Sequence, residues 1–244
     1  MEKIKMTKGM KKKVVAILTG GMMIVSMCVP TLAADGTTNT ITVNVAIKRS
    51  ALGVADIVSP HAVTLPEGST ALDALKIADG STTQGDDVTI GGKTYHHQGK
   101  IYWAMSEYGI NYIPFVDDAG HTTTNRYFEE NGTDSSDSIA SGQAYTYLDK
   151  LNETEINLEW DVNDTWNNAI HNANKLSELD YNNYSGWMLK IGDGKEAPYY
   201  GVDTVLNNGD IVVLDFSMMM GLDVGLNGYV KSQTGKWVYQ TAWN

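Results

Sequence analysis

Residues 184–195 read Tyr-Ser-Gly-Trp-Met-Leu-Lys-Ile-Gly-Asp-Gly-Lys, and residues 205–217 read Val-Leu-Asn-Asn-Gly-Asp-Ile-Val-Val-Leu-Asp-Phe-Ser. Large side chains fill residues 187–191, and the glycines that follow supply the chemistry of a hairpin turn. A second polar turn precedes the β-branched and aromatic run at 211–216. A continuous apolar run of this length favours a strand that is covered on both faces. We therefore predict two buried strands at the centre of the fold.

Two strands and a helix are predicted nearer the start of the chain. Residues 41–47 alternate apolar and polar side chains, which indicates a strand with one buried face, and residues 62–65 predict a strand that pairs with it. After a turn, Ser69 or Thr70 is expected to cap a helix, because the spacing of Thr70 and Asp73 is close to that of a capping box. The predicted buried face of this helix consists of Ala71, Leu72, Leu75 and Ala78.

The middle of the chain carries weaker patterns. Ile101, Met105 and Tyr108 recur at helical spacing, which predicts a short second helix. Residues 161–179 also predict a helix, and its apolar face would be formed by Trp166, Ile170, Ala173 and Leu176. The intervening chain up to residue 141 is rich in Asp, Asn, Ser, Thr and Gly and is expected to lie on the surface.

The two terminal regions resemble the C-terminal β-grasp domain of the transcobalamin and intrinsic factor family, which has stand-alone relatives among bacterial surface proteins. The resemblance rests on Ser-Gly-Trp-Met at 185–188, Leu-x-x-Gly-Asp-x-Val at 206–212 and Val-Thr-Leu-Pro-Glu-Gly-Ser-Thr-Ala-Leu-Asp-Ala-Leu-Lys at 63–76. It implies an α+β fold with a β-grasp core, formed by residues 41–80 and 184–226.

The resemblance also implies a domain organisation. One β-grasp domain is expected over residues 34–228, with an insertion at about 111–183, because the family's usual connection between its first helix and the Gly-Trp-Met strand is shorter. Residues 229–244 are expected to form a short C-terminal extension with a hairpin.

Residues 1–33 have the pattern of a signal peptide. Three lysines precede the apolar run 14–29, and small residues follow near residue 34. This run is shorter than the roughly 20 residues that a spanning helix needs, so we expect cleavage rather than retention as a membrane anchor. Cys28, the only cysteine, would leave with the leader. The predicted protein is therefore secreted and thiol-free, with no membrane insertion after leader cleavage, and association with the cell surface stays open.

The net charge limits the class of partner. The chain carries −11 formally, and loss of residues 1–33, with six Lys and one Glu, would bring this to −16. Nucleic acid is therefore not expected as a partner, since it is bound by basic surfaces. The five histidines have no zinc-binding spacing, and neither a Gly-x-Ser-x-Gly serine motif nor a phosphate-binding glycine loop is present. We predict a protein that is not an enzyme and has no metal site at a known motif. A non-standard calcium site among Asp117, Asp118, Asp134 and Asp137 stays open, with a solvated loop as the default interpretation.

The remaining candidates are aromatic and thioether side chains that suit ligand contact. They are Trp187, Met188, Tyr199, Tyr200, Met218, Met219 and Met220. Core packing is the competing interpretation for Trp187 and one tyrosine, whereas three consecutive methionines cannot all face one core. The resemblance implies cobalamin or a related corrinoid as the ligand. The alternative function is an extracellular adhesion or scaffold module that binds protein or glycan.

Overall fold

The computed structural model describes residues 39–119, 174–178, 180, 184–231 and 236–243, so the predicted leader and all of residues 120–173 lie outside the description. Strands dominate this part of the chain. They are β1 (Thr40–Lys48), β2 (Val58–Pro66), β3 (Val88–Ile90), β4 (Lys93–Gln98), β5 (Ile101–Met105), β6 (Asn111–Asp117), β7 (Lys175–Ser177), β8 (Gly186–Ile191), β9 (Ile211–Ser217), β10 (Gly228–Lys231) and β11 (Trp237–Gln240). The α-helix α1 spans Ala71–Lys76, and short 3₁₀ turns occur at Ser50–Leu52, Gly201–Asp203 and Leu222–Val224.

The predicted α+β β-grasp fold is wrong. Strands take up about 45% of the structure and helices 11%, and the strands form several sheets, including a curled half-barrel. The physical reason is that described residues between 88 and 177 form a second, five-stranded sheet. The region that was predicted to be the β-grasp core contains one short helix, so strands predominate. The protein is mostly β.

The first sheet has the strand order β2-β1-β9-β8. Its central pair, β1 and β9, is parallel and its other pairs are antiparallel. Residues 41–47 were predicted to pair with residues 62–65, and β1 does pair with β2, with Ile41 opposite Leu65. The other neighbour of β1 is β9, and both strands pack with α1 in one apolar cluster. The alternation in β1 is also observed, because Ile41, Val43 and Val45 are buried.

Helix α1 begins as the sequence predicts. The Thr70 side chain accepts a hydrogen bond from the Asp73 backbone N–H, and the Asp73 carboxylate accepts one from the Thr70 backbone N–H, which completes the capping box. Leu72 and Leu75 lie in the core. This reciprocal cap explains why so short a helix has a defined start.

The second sheet has the order β3-β4-β5-β6-β7. It overturns one predicted helix and the described end of a second. The 101–108 segment is strand β5 followed by a turn, because Ile101 to Ala104 are all buried whereas Met105 and Tyr108 are 61% and 82% exposed. A run covered on both sides favours a strand, and the helical spacing was accidental. In the predicted 161–179 helix, the part that the structure describes contains strand β7, which pairs with β6.

The main core lies between the two sheets. The first sheet contributes Val43 and Leu214, the second contributes Ile101 and Ile113, and α1 contributes Leu75, all within one cluster of buried side chains. Because β3, β4 and β5 precede residue 111 and β6 and β7 follow it, the second sheet contains strands from both sides of the predicted insertion boundary. The predicted C-terminal hairpin is the β10–β11 pair.

Candidate functional site

A pocket of about 360 Å³ opens where β6 of the second sheet faces β8 of the first. Its volume falls at the lower end of the roughly 300–1,000 Å³ that is usual for small-molecule sites. We call it the intersheet pocket, and it is lined by Asn111, Tyr112, Ile113, Glu178, Ser185, Gly186, Trp187, Met188, Leu189, Ala197, Pro198, Gly201, Val202, Leu214 and Met220. Most of these side chains are apolar, so the pocket favours a ligand group with an apolar surface.

Strand β8 positions the aromatic side chain of the pocket. β8 pairs with β9 residue by residue, from Gly186 opposite Ser217 to Ile191 opposite Val212. The Trp187 ring packs edge-on against Phe216 with ring centroids 5.2 Å apart, and its Nε1–H donates a hydrogen bond to the Leu176 carbonyl at 3.0 Å. The indole is therefore held on two sides while part of its surface stays open to the pocket.

The three methionines occupy different environments. Met218 and Met219 are fully buried in a cluster that includes Phe216 and Leu222, so they belong to the core and offer no contact surface. Met220 is half-buried and lines the intersheet pocket. The sequence argument that the three cannot all face one core agrees with this arrangement, and Met220 is the one that turns away.

A hydrogen-bonded turn presents Met220. The Ser217 hydroxyl oxygen accepts hydrogen bonds from the backbone N–H groups of Met219 and Gly221, at 3.0 and 2.7 Å. Asp223 accepts from the Ser217 hydroxyl and from the Met218 N–H. Met220 itself has a φ of 52°, which is uncommon for a residue other than glycine. The turn therefore fixes the side-chain direction of Met220 against a backbone preference.

Tyr199 and Tyr200 lie outside the pocket wall. They are 88% and 61% exposed, and their rings meet edge to face with centroids 4.9 Å apart. Their chain neighbours Pro198 and Gly201 line the pocket. The structure thus places the tyrosine pair next to the mouth, where it can contact only a ligand that extends beyond the pocket.

A clamp joins the 3₁₀ turn Gly201–Asp203 to the start of β6. The Asp203 carboxylate accepts hydrogen bonds from both the backbone N–H and the side-chain amide of Asn111, each at 2.8 Å. Val202, next to Asp203, is buried in the main core. This side of the pocket is therefore built into the fold.

Glu178 is the charged residue of the pocket. It follows β7, and its backbone N–H donates to the Pro114 carbonyl at 2.8 Å. Burial raises the pKa of its carboxyl to about 7, while the charge of Lys93 opposes the shift. Among the residues that the structure describes, no ion pair or side-chain hydrogen bond reaches this carboxylate. A carboxyl group with a raised pKa in a pocket is a frequent mark of a functional site.

The surroundings of Glu178 include one cation and two phenols. Lys93 Nζ donates a hydrogen bond to the Tyr112 hydroxyl at 2.7 Å and lies 4.6 Å from the centroid of that ring. Burial, and next the charge of Glu178, raise the pKa of Tyr112; burial and the Tyr112 phenol raise that of Tyr95. Both tyrosines are therefore neutral hydrogen-bonding groups in the ordinary pH range.

The sequence did not single out Glu178. It lies in the segment that was expected to be an insertion, and it is one of 29 acidic residues. Its position directly after the short strand β7 marks it, but the partner strand β6 cannot be identified without the topology. Trp187, Met188 and Met220 were singled out, and the structure brings these three together in the intersheet pocket.

A second cleft, of about 210 Å³, is lined by Arg49, Asp56, Ile57, Lys100, Asp117, Asp118 and Ala119. Three of its charged residues, Arg49, Asp117 and Asp118, are in ion pairs. Arg49 donates to both carboxylate oxygens of the buried Asp118 at 2.7 and 2.8 Å, and Lys175 donates to Asp117 at 2.8 Å. These contacts connect the ends of β1 and β6 with β7. We therefore interpret the cleft as a structural ion-pair network.

Comparison with known proteins finds no family model that matches the sequence, no characterised protein with significant similarity and no solved structure with a significantly similar fold. Within the described ranges, no cluster of three or more His, Cys, Asp or Glu side chains is arranged to hold a metal ion. None of the helices in those ranges combines the length and hydrophobicity that crossing a bilayer requires.

Proposed function

We propose that the protein is an exported, non-catalytic ligand-binding protein that receives an apolar group of a small molecule in the intersheet pocket. The observation that carries this proposal is the convergence of Trp187, Met188 and Met220 on one pocket whose walls are fixed by hydrogen bonds. A pocket built in advance loses little conformational entropy on binding, which favours affinity.

The resemblance to the transcobalamin family supplies the first ligand to test, cobalamin or a related corrinoid. A corrinoid is larger than the pocket, so it would insert one edge or side group and lay its ring over the exposed Tyr199 and Tyr200. A ligand that stays largely in water gains less from burial, and we expect micromolar affinity, on the order of −8 kcal/mol.

Calorimetric titration of the secreted protein with cobalamin and cobinamide tests this ligand. Met220→Ala is expected to weaken binding about tenfold or more, which corresponds to about 1.4 kcal/mol. Met105→Ala is the matched control, because Met105 is 61% exposed and lies outside the pocket. If neither corrinoid binds at about 100 micromolar, the corrinoid is rejected. If a panel of apolar fragments also leaves the intrinsic tryptophan fluorescence unchanged, the ligand-binding function itself is rejected.

The alternative function, adhesion through a protein or glycan, has an observation of its own. In the β10–β11 hairpin Tyr229 pairs with Tyr239, and Trp237 lies two residues from Tyr239, which places all three on one face. These rings are 57%, 43% and 62% exposed. Exposed aromatic side chains are typical of contact surfaces.

Polysaccharide co-sedimentation tests the alternative. Trp237→Ala is expected to abolish retention on a glycan that the protein binds, whereas Tyr108→Ala should leave it unchanged, because Tyr108 is also exposed but lies outside the hairpin. Equal retention of both variants would contradict binding by the hairpin.

A further inference from the structure

We propose that the intersheet pocket selects a cation, namely an ammonium group on an apolar body, which binds between the Glu178 carboxylate and the Trp187 ring. This inference rests on the proposed ligand-binding function and names the chemical class of the ligand. It goes beyond the corrinoid resemblance, which assigns no role to Glu178.

The first argument is the state of the carboxylate. Glu178 lines an apolar pocket, and within the described residues no side chain hydrogen-bonds to it or pairs with it. An ionised carboxylate in such a place lacks the compensation that buried charges normally have. The ammonium group of a ligand would compensate the carboxylate through a charge-assisted hydrogen bond, whereas a neutral ligand would not and an anion would be repelled.

The second argument is the composition of the wall beside Glu178. The indole of Trp187 is the best of the natural aromatic rings for attracting a cation, and desolvation in a pocket strengthens the attraction. Its orientation is fixed by Phe216 and by the Leu176 carbonyl. The thioethers of Met188 and Met220 add polarizable surface for the apolar body of the ligand.

The charged and titratable groups that face Glu178 come from β4 and β6. They are Lys93, Tyr95 and Tyr112. Lys93 is the competing cation, but its Nζ donates to the Tyr112 hydroxyl at 2.7 Å and no ion pair with Glu178 forms in the described part of the chain. The charge of Lys93 therefore limits the rise in the pKa of Glu178, but its ammonium group does not occupy the position beside the carboxylate where a ligand cation would bind.

The charge of the whole chain supports the same class of ligand. A net charge of −11 gives the surface a negative potential that attracts cations and repels anions. Because this long-range attraction is screened by salt, the approach of the ligand should depend on ionic strength more than the contact with Glu178 does.

Proton linkage follows from the same geometry. A bound ammonium stabilises the ionised carboxylate, so binding releases a proton from Glu178 at pH values near and below its pKa. The affinity for a cation should therefore rise as the pH rises through about 7 and then level off. A neutral ligand should show no such dependence.

The test compares three ligands of one shape by calorimetry at pH 8 and pH 5.5: phenethylammonium, phenethyl alcohol and phenylacetate. At pH 8 we expect phenethylammonium to bind about tenfold or more tightly than the alcohol, phenylacetate to bind weakest, and the cation to lose about tenfold at pH 5.5. Glu178→Gln should abolish both the preference and the pH dependence. Glu67→Gln, an exposed glutamate outside the pocket, should keep both.

The possible results separate this inference from the proposed function. If the alcohol binds as tightly as the ammonium, or Glu178→Gln keeps the preference with an unchanged circular dichroism spectrum, cation selection is overturned and ligand binding stands. If none of the three binds but a corrinoid does, cation selection is again overturned. If no ligand of either kind binds, the proposed function fails as well.

Discussion

At the scale of single residues, burial of the Glu178 carboxyl group lowers the free energy of unfolding at neutral pH, and the ionised group places a negative charge in the pocket. A pKa near 7, against an ordinary value of 4.5, means that the folded protein disfavours the ionised form. The difference corresponds to at most about 3 kcal/mol at neutral pH, and residual solvent contact reduces it. Unfavourable groups of this kind are usually retained for function.

Glu178→Gln should raise the free energy of unfolding at pH 8 and leave it nearly unchanged at pH 4. Between pH 4.5 and 7 the unfolded chain ionises Glu178 before the folded protein does, so the wild-type protein loses stability as the pH rises through this window. Urea unfolding across the pH range measures the effect. Glu67→Gln is the control. If the stability of Glu178→Gln changes with pH in the same way as that of Glu67→Gln, Glu178 is not desolvated.

Gly221→Ala should destabilise the protein more than Gly209→Ala by about 1 kcal/mol or more. Both glycines have a positive φ, 95° and 91°, so both variants carry the same backbone strain. An added Cβ would lie 2.9 Å from the Leu226 Cβ at Gly221 but would meet nothing within 4 Å at Gly209. The difference in urea midpoints isolates this steric clash, and equal midpoints would contradict it.

At the scale of elements, local signals sufficed where the pattern and the environment agree. Residues 41–47 alternate because β1 has one face on the core, and Thr70 with Asp73 forms the cap that their spacing indicates. Local signals failed where tertiary pairing decides. Ile101 begins a strand because β4 and β6 lie on both sides of it, and β7 is a strand because β6 offers a free edge.

The candidate site was partly predictable for the same reason. Trp187 and Met188 belong to a strand that local sequence patterns predict, so they could be singled out from the sequence as candidate pocket residues. Glu178 faces the pocket because β6, from a distant part of the chain, pairs with the strand before it. No spacing rule within residues 174–186 encodes that approach.

Leu75→Ala should lower the free energy of unfolding by about 2–5 kcal/mol, because Leu75 is fully buried between α1 and both sheets. Val205→Ala, at a residue that is 59% exposed, should change it by less than about 0.5 kcal/mol. Chemical denaturation of the two variants gives the comparison. A loss for Leu75→Ala as small as the one for Val205→Ala would mean that the helix does not pack as observed.

At the scale of the whole molecule, the acidic charge and the predicted leader are the basis for the prediction that the protein works outside the cell. A strongly negative surface favours solubility and disfavours nucleic acid. The leader lies outside the described residues, so its removal stays a prediction that rests on the sequence of residues 1–34.

Mass spectrometry of the secreted protein should find Ala34 or Asp35 at the N-terminus and no lipid. The small residues before this point and the short apolar run suit a signal peptidase rather than a stable membrane anchor. Detection of intact Cys28 with a diacylglycerol would contradict the prediction and place the protein on the membrane surface.

The parallel pairing of β1 with β9 determines when the chain can fold. The two strands are far apart in sequence, and the nearby hydrogen bond from Thr42 N–H to Asn208 spans 166 residues. Contacts of such long range form slowly, because a long loop must close first. Until β9 emerges from the ribosome, β1 has no central partner and the first sheet cannot form. If the predicted export is correct, this delay would help the chain to cross a membrane, because the first sheet stays unformed until β9 has been made.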